Sequence, residues 1–511
     1  MHQDGGPCTH LKMLTAALLV LLLLVLALLT KRHGGFSFPK NLGRLPGPRA
    51  LPFVGNLLHL FHPDLPIHFH DLARQYGSIF RLRLGSKDMV VLNSTDLIRE
   101  ALLRKWSDFA GRPHGFVADL VSLGGKDLSL GNYTPTWRLQ RKMAHVAFQR
   151  CLRGNMEQIV QSQARQLCKA FHGYGGKPVD LAKDFSLQAC GVICSVLFGP
   201  LDNFTIEKLH DCIYKIMENW GAISVQVVDA LPFLKVFPNA NLRHLLSCIK
   251  SRDALVQHVM KKHQEPHSTS EGQDMVDHML QFQHEHGASE GKGTGLVPEH
   301  VHMAIVDMLI GGTETTATLL SWAVAFLVHR PQIQERIHEE LMAVVGTSRD
   351  PTYSDREHLP FLNATILETL RLRPSAVLAL PHMTIRDTSL SGFSIPKGTT
   401  VITNLYGAHH DESKWHHPLE FRPERFLEED PSGEAQRQLI PFGCGARVCL
   451  GETLGRMEAF HVLAHTLRDF QILPPSPGDL PDLRGFYRFI VHCKPFRVRL
   501  VPWAAVSELA K

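Results

Sequence analysis

One large domain behind an N-terminal membrane anchor is the architecture this chain predicts, and three observations predict it. Residues 13–30 form an unbroken apolar run, MLTAALLVLLLLVLALLT. No internal repeat or long linker divides the rest of the 511 residues, and a hydrophobic content of 44% is ample for a core. A long helical pattern runs from Pro298 to Arg330 through Val301, Ile305, Met308, Leu309, Leu319, Leu320, Trp322, Val324 and Leu327.

The apolar run sits at the short end of the roughly 17–25 residues needed to cross a bilayer. Lys31 and Arg32 follow it, whereas only Lys12 precedes it. The positive-inside rule therefore places everything after residue 32 in the cytosol. A cleaved secretory signal would carry a basic n-region and an A-x-A-like site, and this segment has neither. Residues 1–32 thus read as an uncleaved signal anchor. Residues 33–52 end in Leu45-Pro46-Gly47-Pro48-Arg49-Ala50-Leu51-Pro52, where dense proline makes a stiff, extended hinge. The folded domain is expected from 53 to 511.

A formal charge of +5 without a dense basic run argues against nucleic acid as a partner. Ten scattered cysteines suit a reducing compartment. The pairs His409-His410 and His416-His417 lie in polar, turn-rich sequence and are expected to be solvated.

The most specific stretch is Pro441-Phe442-Gly443-Cys444-Gly445-Ala446-Arg447-Val448-Cys449-Leu450-Gly451, which fits F-x-x-G-x-R-x-C-x-G. Gly443 and Gly445 permit a tight turn close to a flat ligand. Their N–H groups are expected to point at the Cys449 sulfur and hold it as a thiolate. Phe442 can shield that sulfur, and Arg447 can neutralise a haem propionate. Gly451-Glu452 opens a helix whose N-terminus favours a nearby thiolate. A zinc or iron–sulfur site would need about four ligands. Cys190 and Cys194 read instead as a buried helix face, and Cys444 as packing.

This loop resembles that of the cytochrome P-450 haem-thiolate monooxygenases, and the likeness covers most of the chain after residue 45. It implies a mainly α fold with smaller β-sheets and a haem b (iron protoporphyrin IX) with Cys449 as axial ligand. It also implies electrons from NADPH through a flavoprotein, NADPH–cytochrome P-450 reductase, at the endoplasmic reticulum membrane. Three further motif regions occur in the family's order. Within the long helical pattern, Gly311-Gly312-Thr313-Glu314-Thr315-Thr316 places two glycines that each cost about 1 kcal/mol relative to alanine. A widened turn admitting dioxygen would justify them, with Thr315 as hydrogen-bond donor and Glu314 passing protons inward. The alternative is a glycine pair for close helix packing.

Glu368 and Arg371 form an E-x-x-R pair at helical spacing, a weak signal by itself. In the family such a pair joins an arginine of the later Phe421-Arg422-Pro423-Glu424-Arg425-Phe426 segment in a buried ion network; Arg425 (or Arg422) would fill that place. Trp137 and Arg141 lie four apart on a helix and can both reach a propionate. Arg112 and His382 match propionate-binding positions of the family. Arg138 and Lys142 are either solvated or help to dock the reductase. The polar stretch from Gln264 to Leu296 reads as surface connection with a short amphipathic helix from Met275 to Phe282.

A narrower likeness is to vertebrate steroid hydroxylases acting on carbon 21. It is carried by Lys105 to Pro113, Asp127 to Gly131, His300 to Ala304, Gly311 to Thr316 and Phe442 to Glu452. It implies progesterone and 17-hydroxyprogesterone as substrates, held in an apolar slot with few polar anchors. Val306, Asp307, Gly311 and Leu380 match positions lining that slot, although Asp307 reads equally as a helix-packing acid. Lys235 follows Pro232-Phe233-Leu234 where relatives carry an arginine for the steroid 3-keto oxygen. Lysine donates as a flexible point charge, not a planar fork. The rival expectations are another microsomal steroid or xenobiotic hydroxylase, a haem-thiolate isomerase, and a non-catalytic haem carrier. Retention of Glu314-Thr315 argues against the isomerase.

Overall fold

The computed structural model describes residues 45–505 apart from 53, 86, 231–233, 235, 238, 265–273, 288–294 and 428–431. The expected anchor, most of the hinge and Lys235 lie outside the described residues. Among the described residues, no single helix is long and apolar enough to cross a membrane.

The helices of eleven or more residues are α1 (Leu65–Tyr76), α2 (Pro135–Arg153), α3 (Met156–Gly173), α4 (Ala182–Phe198), α5 (Asn203–Trp220) and α6 (Ala240–Gln264). They continue with α7 (Met275–Glu285), α8 (Pro298–Val328), α9 (Pro331–Val344), α10 (Pro360–Leu372) and α11 (Glu452–Asp469). A small sheet packs beside them. Its antiparallel hairpin β1 (Ile79–Leu84) and β2 (Lys87–Leu92) continues through a parallel pairing to β4 (Thr400–Thr403), which pairs antiparallel with β3 (His382–Met383). Three two-stranded sheets complete the β structure among the described residues.

Local chemistry sets the ends of α8. Pro298 occupies the first turn, where its missing N–H costs nothing, and Pro331 starts the next helix after the stop at His329. The expected short helix forms as α7, and Asp274 and Asp277 exchange bonds with each other's backbone N–H in a capping box.

Helix α8 is apolar nearly all round, and such a helix is stable only inside a protein. Two apolar clusters cover it in halves. Val301 to Leu309 pack with α2, α4, α6 and α7. Ala317 to Val328 pack with α3, α9, α10 and α11. Residues 311–316 fall between the clusters, so the middle of the helix is left to face something else.

The widened turn expected there is not formed, because α8 runs unbroken through Gly311 and Gly312. The two glycines serve different ends. A Cβ on Gly312 would lie 3.0 Å from the Ile193 side chain of α4, so this glycine permits close helix packing. A Cβ on Gly311 would meet nothing within 4 Å, so this position borders open space.

The histidine expectation divides. His416 and His417 are exposed, but His409 and His410 are fully buried. His409 Nε2 accepts the Ile440 N–H at 3.0 Å, and His410 stacks on Tyr406. Local polarity misled here because tertiary packing, which no neighbouring residue reports, covers residues 405–410.

Candidate active site

Between the middle of α8, the start of α11 and β3 lies a cavity with about 350 Å³ of space open to the centres of water molecules. Its walls are mostly apolar, with Ile98, Leu102, Phe148, Leu319, Leu370 and Leu454 among them. Cys449 faces it from one side; Gly311 and Thr315 border it from α8.

The loop before Cys449 is shaped by its glycines. Gly443 and Gly445 take φ of 71° and 77°, and a Cβ on Gly445 would lie 1.7 Å from the Leu102 carbonyl oxygen. No other residue fits there. The Gly443 amide does not serve the sulfur as expected: its N–H donates to Ile440 O at 3.0 Å. The N–H groups that reach Cys449 belong to Gly451 and Glu452, at the opening of α11. The helix terminus, not the turn, supplies the dipoles, because a terminal turn has unsatisfied donors to spare. Burial pushes the Cys449 thiol up, and these amides and the Arg141 charge pull it back. Cys444 also borders the cavity; burial lifts its thiol to about 11, so it is an inert packing group.

A wall of cations adjoins the cysteine. Arg112, Trp137, Arg141, His382 and Arg447 all border the cavity. Arg447 donates to the carbonyls of Ala110, Leu128 and Gly131 and lies 3.8 Å over the Trp137 ring. Arg112 donates to Ser129, Leu380 and Pro381 carbonyls, each at 2.8 Å. Arg141 donates to Val448 O, Trp137 Nε1–H to Leu128 O at 3.0 Å, and His382 Nδ1 lies 2.9 Å from Phe109 O. Burial, with repulsion from Arg112 and Arg141, lowers Arg447 to about 8; burial lowers Arg112 to about 10 despite Asp127. Excess positive charge held against a cavity is the arrangement that anionic groups on a ligand relieve. A thiol opposite an apolar slot, flanked by three arginines, fits a haem with two propionates.

Thr315 borders the cavity and its hydroxyl donates to Gly311 O. Glu314 is turned away from it: the Ser186 hydroxyl of α4 donates to Glu314 Oε1 at 2.7 Å. Asp307 borders the cavity but is fully engaged, accepting from the Leu128 N–H at 2.6 Å and the Ser129 hydroxyl at 2.8 Å. It ties the 127–131 loop to α8, and burial with the Asp127 charge pushes its carboxyl well up. Leu380 lines the cavity; Val306 packs in the core beside it, and Met308 takes the lining place.

The chain matches the family model "Cytochrome P450" over residues 45–500. It belongs to the cytochrome P450 family. A steroid 21-hydroxylase of Canis lupus is 46% identical over 90% of this chain and 94% of its own. The human counterpart is 44% identical over 94% of this chain and 98% of its own. A zebrafish cytochrome P450 structure with progesterone superposes with a TM-score of 0.77 at 34% identity, covering 86% of this chain and 99% of that one.

As a cytochrome P450 the chain is a haem-thiolate monooxygenase, and its fold neighbours share the mainly α architecture. The ion network expected of the E-x-x-R pair is present and buried. Arg371 Nε and Nη2 donate to the two oxygens of Glu368 at 2.7 and 2.9 Å, and Arg425 Nε donates to Glu368 Oε1 at 2.9 Å. Arg422 contributes its backbone N–H to the same oxygen at 2.9 Å.

Sequence reading missed two features near the site. Glu458 borders the cavity from α11, one of its oxygens has no partner among the described residues, and burial pushes its carboxyl well up. Ser186 and His210 gather at Glu314 from α4 and α5. No local signal announces these residues, since each becomes notable only through helix packing.

Proposed function

We propose that this P450 is a steroid 21-monooxygenase. It hydroxylates carbon 21 of progesterone and 17-hydroxyprogesterone to give 11-deoxycorticosterone and 11-deoxycortisol. The observation that carries this reading is the opposition of Cys449 and Thr315 across one apolar cavity, in a chain whose 44–46% identical relatives are steroid 21-hydroxylases. The superposable zebrafish P450 structure with progesterone supports a ligand of this shape.

In this reading Cys449 would hold the iron of haem b, while Arg112, Arg141, Arg447, Trp137 and His382 would hold the propionates. Carboxylates would compete for guanidinium donors now held by carbonyls, and charge-assisted bonds are about twice as strong as neutral ones. Phe442 excludes water from the sulfur. When bound, the haem supplies oxygen activation, and thiolate ligation favours O–O cleavage. Thr315 presents a hydroxyl to the cavity, Glu314, the residue before it and turned toward α4, would be the proton source, and Gly311 leaves open space on the cavity side. Gly311 and Leu380 flank the steroid, Asp307 fixes the loop that covers it, and Val306 supports that wall from the core. Lys235 would meet the 3-keto oxygen. Residues 1–32 would anchor the enzyme in the endoplasmic reticulum membrane, residues 33–52 would orient it, and domain 53–511 would face the cytosol. There it would draw electrons from NADPH through NADPH–cytochrome P-450 reductase.

The test is product analysis with progesterone, dioxygen, NADPH and the reductase. A hydroxyl at carbon 21 is expected; one at carbon 17 or elsewhere overturns the assignment. The carbon monoxide difference spectrum of the reduced enzyme separately reads thiolate against imidazole ligation.

A further inference from the structure

Glu314 precedes the cavity-facing Thr315, yet its carboxylate points into the packing of α4 and α5. There the Ser186 hydroxyl donates to Glu314 Oε1 at 2.7 Å, and the same Ser186 oxygen lies 2.7 Å from His210 Nε2. All three side chains are buried. The other ring nitrogen, His210 Nδ1, faces Asp211 Oδ1 at 3.5 Å, and that aspartate is two-thirds exposed (66%). The His210 ring lies nearly parallel to that of the exposed Tyr214, with ring centroids 6.5 Å apart. Four groups on three helices therefore stand in single file from solvent to the residue before Thr315.

A buried carboxylate needs donors, and a serine alone would satisfy Glu314 Oε1. The histidine behind the serine adds something a static donor does not. Imidazole can take a proton at one nitrogen while releasing another from the opposite nitrogen, and hydroxyls pass protons by rotation. The order found here, carboxylate, hydroxyl, imidazole, exposed carboxylate, alternates such groups, with hydrogen-bond distances as far as His210 and a 3.5 Å approach of its Nδ1 to Asp211.

We propose that Ser186 and His210 are the relay that recharges Glu314 with protons from solvent on the Asp211 side. In each passage the His210 Nε2–H bond breaks and the proton goes to Ser186 Oγ, while the Ser186 O–H proton moves to the Glu314 carboxylate. His210 Nδ1 takes a proton from solvent at Asp211, so the ring emerges as the other tautomer. It resets when Nδ1 returns a proton to solvent and the ring, swinging outward, takes one from solvent at Nε2, while the Ser186 hydroxyl rotates back toward Glu314, with no net change of protons in the reset. One proton enters, Glu314 becomes neutral, and no electrons move. Because Glu314 would then serve the oxygen chemistry, the proposal rests on the monooxygenase reading.

The test compares full-length holoenzyme with His210→Gln, Ser186→Ala and Ser186→Thr. Glutamine keeps a hydrogen bond to Ser186 but cannot shuttle a proton, and threonine keeps the hydroxyl that alanine removes. His210→Gln and Ser186→Ala are expected to keep the thiolate carbon monoxide band and the progesterone-induced spectral shift. Coupled turnover should fall by about 10- to 100-fold, toward the low end of general acid–base effects. The solvent deuterium isotope effect should rise, and the NADPH consumed should appear as hydrogen peroxide. Ser186→Thr should retain coupling. An independent arm follows the His210 ring nitrogens by nuclear magnetic resonance in the resting enzyme, assigned by their loss in His210→Gln. Glu314→Gln and Ser186→Ala should each shift the tautomer balance of that ring. A wild-type isotope effect and peroxide yield in both His210→Gln and Ser186→Ala would overturn the relay, as would His210 signals indifferent to Glu314→Gln. If the wild-type enzyme hydroxylates no steroid, the functional reading fails separately, and the nitrogen signals still decide the relay.

Discussion

Two buried groups of arginines lie in this protein, and they are satisfied in opposite ways. Around Glu368, Arg371 and Arg425 share one carboxylate and give their remaining donors to the carbonyls of His409, His416, His417, Pro418 and Glu420. Each guanidinium holds an oxygen of that carboxylate, and its other donors end on carbonyls. Around the cavity, Arg112 and Arg447 donate only to carbonyls, with Asp127 close enough to favour their charge. Burial weakens the hold of both on their protons, and repulsion from Arg112 and Arg141 adds to it at Arg447. The first group hydrogen-bonds a protein carboxylate, and the second borders a cavity with carbonyls alone as acceptors. Arginine burial alone thus says little about role; the presence of a protein carboxylate in the fork decides it.

The strongest way to break this contrast is Glu368→Ala. Two guanidinium groups would lose their only carboxylate in a fully buried site, a loss of about 3–5 kcal/mol. Denaturant unfolding or the yield of folded protein would show it, and a stability within 1 kcal/mol of wild type would mean the network is ornamental. Arg447→Met should cost less, about 1–3 kcal/mol from the carbonyls left without a donor. Its main effect should fall on haem content, measured by the pyridine haemochrome; full haem retention would remove this arginine from the cavity's binding role.

The two regions should also differ in the sign of their pH response. Burial and the Arg371 charge lower His409, beside the first group, to about 3. The unfolded chain then binds more protons between about 3 and the ordinary value of 6.5, so this histidine's share of stability is lost as pH falls through that window. The stability advantage of wild type over His409→Gln should shrink on acidification. Asp127, beside the second group, is pushed up to about 6 by burial. Here the folded chain binds more protons between 3.8 and about 6, so stability declines as pH rises through that range. Asp127→Asn should remove that decline, the smallest of the four effects. Parallel chemical denaturation series from pH 4 to 7 would test both, and equal slopes for both variants would refute the sign difference.

Much of the site was legible because its requirements are local. The Cys449 loop needs glycine at positive φ and a helix start directly after it, and both are written in consecutive residues. Glu368 and Arg371 are three apart on one helix, so their pairing follows from spacing; their burial does not. The exact source of the amides at Cys449 was misassigned because two neighbouring features, the turn and the helix terminus, offer the same kind of donor. Burial of His409 and His410 was missed because polarity of adjacent residues is a poor guide to what packs over them.

By itself the sequence determined the glycine-framed cysteine loop, the long central helix with its glycines and Glu314-Thr315, the E-x-x-R pair, and the family. All of these rest on residue type at short spacing, where backbone geometry leaves few choices. Tertiary structure decided which way each side chain faces. Glycine 311 opens a cavity while Gly312 seats Ile193, Asp307 holds a loop, and Glu314 turns toward Ser186 and His210. Those outcomes depend on which helix packs against which face of α8, and that is settled only when elements far apart in the chain bury their apolar surfaces together.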